Sequence, residues 1–512
     1  MFATATTLAA IMTVDCVGAF QMTNYQAFGI SRNNAAAGIS SFEPVSHTSI
    51  APALRKLQLS ATASSASDDA DSHSTKNSRL EEKTWMFQNK YPIAYEVASH
   101  ASDIIIDAAN NDDDVEVVPI LLLNGFGVGS FHQHSLMRQI LLQNDNDDEK
   151  DEKKQKQQYV IYGIDYLGQG KSWPESCNDG NSNDELNLGY SADMWLDQLK
   201  GFIEEVILAP PTSLSSSSST SNKKVHLVGN SVGGYLSTIL TNRHPHLISS
   251  LTLLNATPVW GLNLPGWDGK LPAPPLPKIV GRALFDTIRN VDIIDKYLEA
   301  AYVHREAFDG TYDDSFHGCS DAVRTARGGQ ELGEKIRACT ESKGGHAAFA
   351  SILWSAPASE LTKDIGESSH KPADFYRALE KIPVDVLLLF GADDPWCTPA
   401  VAKRMHTTLV GRDGMDAPAA QRYIELGNVG HCPNHEAPTA VARVLLPWIA
   451  GTCSSLQSST VDDDGQCRRK APLVSGSDQI KEPWGVVGLR EVSIEESQNL
   501  GMMDRIVSNM VG

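Results

Sequence analysis

The chain has 512 residues, of which 43 are Lys or Arg and 63 are Asp or Glu, so its formal net charge is −20. This acidic excess argues against nucleic-acid binding and against attachment to anionic lipid through basic patches, because both need clustered Lys and Arg. The eight cysteines form no C-x-x-C pair and no His/Cys cluster at zinc spacing, which disfavours a disulfide scaffold and a structural metal.

Residues 1–80 have the composition of a targeting leader. Residues 1–19 are mostly small and apolar and end on Val17-Gly18-Ala19, which suits signal peptidase, and 20 of the 40 residues from 31 to 70 are Ser, Thr or Ala. A signal-like segment followed by a transit-like segment resembles the bipartite leader of plastid proteins in algae; the alternative is a plain disordered N-terminus. No apolar run approaches the ~20 residues of a membrane-spanning helix, so the mature chain is expected to be soluble.

Short apolar runs alternate with helical patterns between residues 85 and 450. Six runs have strand length and little polar alternation: 117–123, 159–164, 225–228, 251–254, 384–390 and 422–426. Continuous apolar strands are typical of a parallel sheet covered on both faces. Their alternation with amphipathic segments such as 195–207 predicts an α/β fold with a mainly parallel, doubly wound sheet.

One long interval breaks this alternation. Residues 260–375 begin with clustered Pro and Trp and continue with helical stretches, which indicates a helical cap or lid inserted into a core of residues 85–259 and 376–450. The polar stretches 144–157 and 210–222 are expected to be solvated loops, and residues 451–512 form a tail without a readable role.

The strand predicted at 225–228 leads into Gly229-Asn230-Ser231-Val232-Gly233, a G-x-S-x-G sequence followed by a helical pattern. A sharp strand-to-helix turn of this kind needs glycines where neighbouring chain segments approach closely, and it lifts the serine above the sheet. Ser231 is therefore the candidate nucleophile.

A serine nucleophile needs a base and an acid that orients the base, expected in the chain order Ser, Asp or Glu, His after late strands. His431 follows the run 422–426 and is preferred to His435, which lies further towards the next helix. Asp393 and Asp394 both follow the run 384–390, and Asp394, as the last residue of G-x-x-D, is preferred without excluding Asp393.

The tetrahedral intermediate of an acyl transfer needs N–H donors for its oxyanion. Val232, directly after the nucleophile, and Phe126, in the loop 124–130, are the candidate backbone donors. This glycine-rich loop lacks the lysine and the spacing of a phosphate-binding loop, so nucleotide binding is not expected. Serine-hydrolase chemistry requires no metal and no organic cofactor, and none is predicted.

Six motifs together resemble the α/β-hydrolase superfamily and, within it, the pheophytinase family of plastid esterases: GFGVGSFH at 125–132, DYLGQGKS at 165–172, GNSVGGY at 229–235, LLNATPVWG at 253–261, DPW at 394–396 and GHCP at 430–433. The resemblance implies an α/β-hydrolase fold and maps the family's triad onto Ser231, Asp394 and His431. Asn124, where many superfamily members carry His, and Val232, where Leu is usual, depart from the pattern.

The resemblance also implies a substrate. It points to removal of phytol from pheophytin, a tetrapyrrole phytyl ester, in the plastid stroma, with possible peripheral contact with the thylakoid membrane. Trp260 and Trp354 are candidates to line a channel for the phytyl chain, unless they are ordinary core residues of the cap. The alternatives are a chlorophyll dephytylase, another lipid or ester hydrolase with the same triad, and a ligand-binding protein with little turnover.

Overall fold

The computed structural model describes residues 78–100, 115–148, 156–209, 223–309, 331–361, 368–410, 412, 419–457, 473–474, 478–499 and 501. Most of the predicted leader and the whole predicted loop 210–222 lie outside these residues. Within the described part of the chain, no helix combines the length and the apolar character needed to cross a membrane.

A ten-stranded sheet organises the molecule, in the order β1-β2-β4-β3-β5-β6-β9-β10-β12-β11. Its strands are β1 Ser78–Phe87, β2 Tyr91–His100, β3 Val115–Leu123, β4 Lys156–Ile164, β5 Val225–Asn230, β6 Ile248–Leu254, β9 Asp385–Gly391, β10 Gln421–Gly427, β11 Gln479–Glu482 and β12 Gly485–Glu491. The strands from β4 to β10 in this order pair in parallel, whereas β1, β2, β11 and β12 pair antiparallel with their neighbours. A separate two-stranded sheet joins β7 Ser359–Leu361 to β8 Ser368–Pro372.

Helices cover both faces of the large sheet and form the inserted region. Their bounds are α1 His134–Asp148, α2 Ala192–Phe202, α3 Val232–Arg243, α4 Pro275–Ile288, α5 Val291–Ala301, α6 Leu332–Ala338, α7 Gly345–Trp354, α8 Phe375–Glu380, α9 Pro399–Val410, α10 Pro433–Glu436, α11 Pro438–Gln457 and α12 Ile494–Gln498. A π-helical turn, Ile203–Ile207, follows α2, and short 3-10 turns lie at Ser130–Gln133, Pro245–Leu247 and Arg305–Ala307.

Each face of the sheet has its own apolar core. Residues of α2, α3, α8 and α9 pack on one face and residues of α1 and α11 on the other. All six residues of β5 are buried, as expected for a central strand that is covered on both sides. The prediction of a mainly parallel sheet with helices on both faces is confirmed.

Helices α4 to α8 and strands β7 and β8 lie between β6 and β9, and α4 to α7 have small apolar clusters of their own. One cluster joins α5 to α6 through Ile294, Leu298 and Leu332. The other joins α4 to α7 and includes Phe285 and Phe349. Helices α4 to α7 lie within residues 260–375, which the sequence predicts to be a cap and which are called the cap below.

Both ends of the sheet differ from the sequence prediction. Strand β1 starts inside the predicted leader, and because it contains several charged residues it does not form an apolar run that would predict a strand. Edge strands commonly carry such charges, since these oppose pairing with a second chain. At the other end, the tail supplies β11 and β12, and β12 pairs with β10. Helix α1 extends through Asp148, into the stretch predicted to be a loop.

Candidate active site

Ser231 lies at the turn between β5 and α3 with φ 53° and ψ −119°. A non-glycine residue rarely adopts positive φ, so the surrounding structure must hold it there. A Cβ atom added to Gly233 would lie 2.5 Å from the carbonyl oxygen of Leu123, and one added to Gly229 would lie 2.5 Å from the carbonyl oxygen of Gly233. The two outer glycines of the motif are therefore required by close approach of the backbone.

Asp394 and His431 form a buried pair at the ends of adjacent parallel strands. His431 Nδ1 lies 2.7 Å from Asp394 Oδ2. Asp393 faces away from this pair, since its Oδ2 accepts a hydrogen bond from the backbone N–H of Asn428. The geometry therefore distinguishes the two aspartates, and because Nδ1 of His431 is engaged, Nε2 is the ring atom available for proton transfer.

Two further donors hold the Asp394 carboxylate. Asn255 Nδ2 donates to Oδ2 over 2.7 Å, and the backbone N–H of Trp396 donates to Oδ1 over 2.7 Å. Asn255 is fully buried, and its Oδ1 accepts from the backbone N–H of Gly391. The sequence analysis missed this role of Asn255, although the residue lies in the LLNATPVWG motif.

The main chain of His431 is fixed by both the sheet and the cap. Asn230, next to the nucleophile, donates through Nδ2 to the carbonyl oxygen of His431 over 3.0 Å. The N–H of His431 donates to the carbonyl oxygen of Ala301, the last residue of α5, over 2.7 Å. The ring of Trp396 packs edge-on against the imidazole, with ring centroids 4.8 Å apart.

Ser231 and His431 line the same cavity, called here the catalytic cavity, which has a volume of about 240 Å³. Phe126 and Val232, the candidate oxyanion donors, also line it, and Val232 is the first residue of α3, where backbone N–H groups have no partner within the helix. Trp260 is another lining residue. Trp354 lies elsewhere: it packs against Trp267 in the cap and donates to the carbonyl oxygen of Pro265.

The loop that carries Phe126 is held by the side chains of the neighbouring loop. Asp165 accepts from the N–H of Ser130 over 2.6 Å and from the N–H of Lys171 over 2.7 Å. Gln169 Oε1 accepts from the N–H of Gly127 over 2.8 Å. Burial raises the pKa of Asp165, while its two backbone donors oppose that shift. These contacts set the backbone next to the candidate oxyanion donor before a substrate binds.

Asp394, Cys397 and His431 are, among the described residues, the one set of three potential metal ligands whose ligand atoms lie within 4.8 Å of one another. Burial raises the pKa of the Cys397 thiol well above its ordinary value. A protonated thiol is a poor ligand, and both other residues are already engaged with each other. The arrangement suits proton transfer better than metal binding.

Glu436 connects the His431 loop to the cap. Its Oε2 accepts from the N–H of Gly430 over 2.7 Å, and its Oε1 accepts from the N–H groups of Val303 and His304 over 2.8 and 2.9 Å. Strands β11 and β12 form a C-terminal hairpin, and Trp484 lies in the turn between them. Trp484 contacts both segments: its ring stacks on the His304 ring at 3.7 Å between centroids, and it donates to the carbonyl oxygen of Glu436.

Burial raises the pKa of Glu436 to about 7. Because this pKa lies above the ordinary glutamate value of 4.5, the folded protein binds the proton more tightly than the unfolded chain. The free energy of unfolding should therefore fall as pH rises from about 4.5 to about 7, by on the order of 3 kcal/mol for this group alone. Burial raises the pKa of Glu482 to about 7 as well, so it contributes in the same direction.

Urea unfolding of the parent protein and of Glu436→Gln, each at pH 5 and pH 8, isolates the contribution of Glu436 to the pH dependence of stability. The Glu436→Gln variant should lose less stability between these two pH values than the parent protein, whatever its absolute stability. Equal losses in the two proteins would show that Glu436 does not titrate in this window.

Known proteins are similar to the part of the chain that contains the candidate triad. The sequence model of the alpha/beta hydrolase family matches residues 120–444. Pheophytinase, chloroplastic, of Arabidopsis thaliana is 27% identical over 361 residues, which cover 66% of this chain and 62% of that protein. Proline iminopeptidase of Lactobacillus acidophilus is 27% identical over 304 residues, covering 58% of this chain and 80% of that protein. The chain thus spans less than two thirds of the length of the Arabidopsis protein.

Solved structures are similar at lower identity. An esterase from Exiguobacterium antarcticum has a TM-score of 0.43 at 15% identity, covering 72% of this chain and 100% of that one. The enol-lactonase from Burkholderia xenovorans LB400 has a TM-score of 0.42 at 15% identity, with the same two coverages. The family match extends from β3 into α11 and includes all three residues of the candidate triad. The chain belongs to the alpha/beta hydrolase family.

Proposed function

We propose that this hydrolase is a serine esterase of the plastid that removes phytol from pheophytin, releasing pheophorbide. The observation that carries the ester-hydrolase part is the placement of Ser231, at positive φ, in one apolar cavity with His431, whose Nδ1 is paired with buried Asp394. The substrate part is supported by the similarity to the Arabidopsis pheophytinase and by the motifs that resemble that family.

The reaction would proceed in two steps. Ser231 Oγ attacks the ester carbonyl carbon while His431 Nε2 accepts the hydroxyl proton, and Asp394 stabilises the resulting imidazolium. The backbone N–H groups of Phe126 and Val232 stabilise the oxyanion. Collapse of the intermediate breaks the bond to the alcohol oxygen, which takes the proton from His431, and water then hydrolyses the acyl-enzyme by the same route.

The lining of the catalytic cavity favours an apolar ester over a peptide with a free N-terminus. A terminal ammonium group needs a carboxylate partner when it is taken out of water. Among the described residues that line the cavity, none is Asp or Glu. The similarity to proline iminopeptidase therefore does not extend, in this proposal, to the same kind of substrate.

The experiment compares pheophytin a and chlorophyll a as substrates for protein that begins at residue 78, where the described structure starts. We expect pheophorbide from pheophytin, slower or no release of chlorophyllide from chlorophyll, and no product of either with Ser231→Ala. Faster cleavage of chlorophyll would make the protein a chlorophyll dephytylase. Cleavage of simple esters but of neither pigment would overturn the proposed substrate, and labelling by a serine-reactive probe without turnover would favour a ligand-binding role.

A further inference from the structure

A second cavity, called here the chain cavity, lies between the cap and the loops that follow β3 and β4. It has a volume of about 160 Å³ and is lined mostly by apolar side chains of the cap helices, including Phe285 and Ile288 of α4 and Ile294 of α5; Trp173, which follows β4, also lines it. Cavities lined in this way bind apolar ligand groups. The catalytic cavity, at about 240 Å³, is by itself smaller than the ~300–1,000 Å³ typical of ligand sites.

Three polar side chains at the chain cavity are engaged within the protein, although the buried Nε2 of Gln169 has no hydrogen-bond partner. Gln169 accepts the N–H of Gly127, Arg289 pairs with Asp286 at 3.0 Å, and the hydroxyl of Thr340 donates to the carbonyl oxygen of Arg337 over 2.7 Å. A polar or anionic ligand would have to compete for these groups. An alkyl chain would displace only water from apolar walls.

The two cavities share a wall. Both are lined by Phe126, Val128, Tyr297, Leu298, Ile336, Phe349 and Ile352. The rings of Phe126 and Phe349 lie 6.4 Å apart between centroids. Phe126 is also the residue whose backbone N–H faces the developing oxyanion in the proposed mechanism, so the wall lies directly beside the reacting carbonyl.

We propose that the chain cavity binds a long alkyl chain of the ester whose carbonyl group is held at Ser231. The proposal rests on the ester-hydrolase function proposed above but does not depend on the tetrapyrrole. Transfer of a methylene group from water to such a site favours binding about fourfold, so a chain that reaches past Phe126 and Phe349 gains affinity with each added carbon. The chain can belong to the alcohol, as in a phytyl ester, or to the acid.

The test fills the chain cavity without touching the triad. Ile288 lines the chain cavity, whereas Ile279, on the same helix, is 66% exposed and lines neither cavity. Ile288→Trp should therefore occupy the chain cavity, and Ile279→Trp is the matched control. Cys339→Phe, at another lining residue, provides a second filling variant should Ile288→Trp fail to fold.

Two ester series distinguish the source of the chain. One varies the acid, from p-nitrophenyl butyrate to palmitate, and the other varies the alcohol, from butyl acetate to phytyl acetate. We expect the parent protein to favour the long chain at least tenfold in kcat/KM in one series. The filling variants should remove that preference and keep short-chain activity within about threefold, and Ile279→Trp should change neither. The series that responds identifies the side of the ester that enters the chain cavity.

Equal loss of short-chain and long-chain activity in both filling variants, or no chain-length preference in the parent, would overturn the proposal. Binding of 1-dodecanol to Ser231→Ala, which needs no turnover, gives an independent measurement, and adding Ile288→Trp should weaken it at least tenfold. If Ser231→Ala binds the alcohol and Ile288→Trp weakens that binding, but the parent protein hydrolyses no ester, then the proposed function fails and the proposed binding of an alkyl chain in the chain cavity is supported. If long esters are preferred but pheophytin is not cleaved, only the tetrapyrrole is excluded.

Discussion

Replacing Ser231 with alanine is expected to lower kcat for ester hydrolysis by about 10⁵–10⁶-fold, because without the hydroxyl no acyl-enzyme can form and His431 and Asp394 have nothing to activate. The remaining rate should come from the oxyanion donors and from substrate binding alone. The variant should fold normally, since alanine removes one oxygen atom that faces the cavity. Relief of unfavourable side-chain contacts at this positive φ is not expected, because alanine retains the Cβ atom.

The measurement is the burst and steady-state rate with p-nitrophenyl butyrate, together with labelling by a fluorophosphonate probe. Ser237→Ala is the matched control: Ser237 is also buried on α3, but its hydroxyl donates to the carbonyl oxygen of Gly233 and does not line the catalytic cavity. Labelling should disappear in Ser231→Ala and persist in Ser237→Ala. Retained labelling of Ser231→Ala would assign the nucleophile to another residue.

The second large effect is expected at the aspartate pair. Asp394→Asn should lower kcat about 10⁴-fold, whereas Asp393→Asn should stay within about threefold of the parent protein. Oδ2 of Asp394 accepts from both His431 and Asn255, and Oδ1 accepts from the N–H of Trp396. In asparagine one of these two oxygens becomes an NH2 group, which can only donate, so in either orientation of the amide a donor would face another donor. The amide would also lack the charge that stabilises the imidazolium.

Both variants can be assayed with the same ester over a range of pH. Asp394→Asn should recover part of its rate in alkali, where hydroxide can replace the imidazole as base. The melting temperature of each variant shows whether the substitution has destabilised the fold. A large loss in Asp393→Asn together with a small loss in Asp394→Asn would reverse the assignment of the acid.

The sequence predicts those features of the candidate site that depend on local structure. Ser231 is a candidate nucleophile because a strand, a tight glycine turn and a helix follow one another directly along the chain, and the structure has this arrangement. Asp394 and His431 are candidates because each follows an apolar strand, and parallel strands bring their carboxyl ends to the same edge of the sheet, where the two side chains pair.

Contacts between distant segments were not predictable in the same way. Asn255 reaches Asp394 because β6 and β9 are neighbours in the sheet, although the two residues are 139 positions apart along the chain. The apolar patch that contains Trp354 could serve equally well as cap core or as cavity wall, and only the fold places it in the core. Strand β1 is amphipathic and charged, so its pattern does not reveal whether it pairs with a neighbour.

The C-terminal hairpin affects how the active site is assembled as the protein is made. Strand β12 covers the edge of β10, and Trp484 reaches the segment that holds His431, yet both follow every other strand of the large sheet in the chain. At synthesis rates of about 5–20 residues per second, the edge of β10 stays unpaired for several seconds after it leaves the ribosome. During that interval the nascent chain carries all three residues of the candidate triad without the contact that Trp484 makes beside His431. We therefore expect hydrolytic activity only after β11 and β12 have left the ribosome.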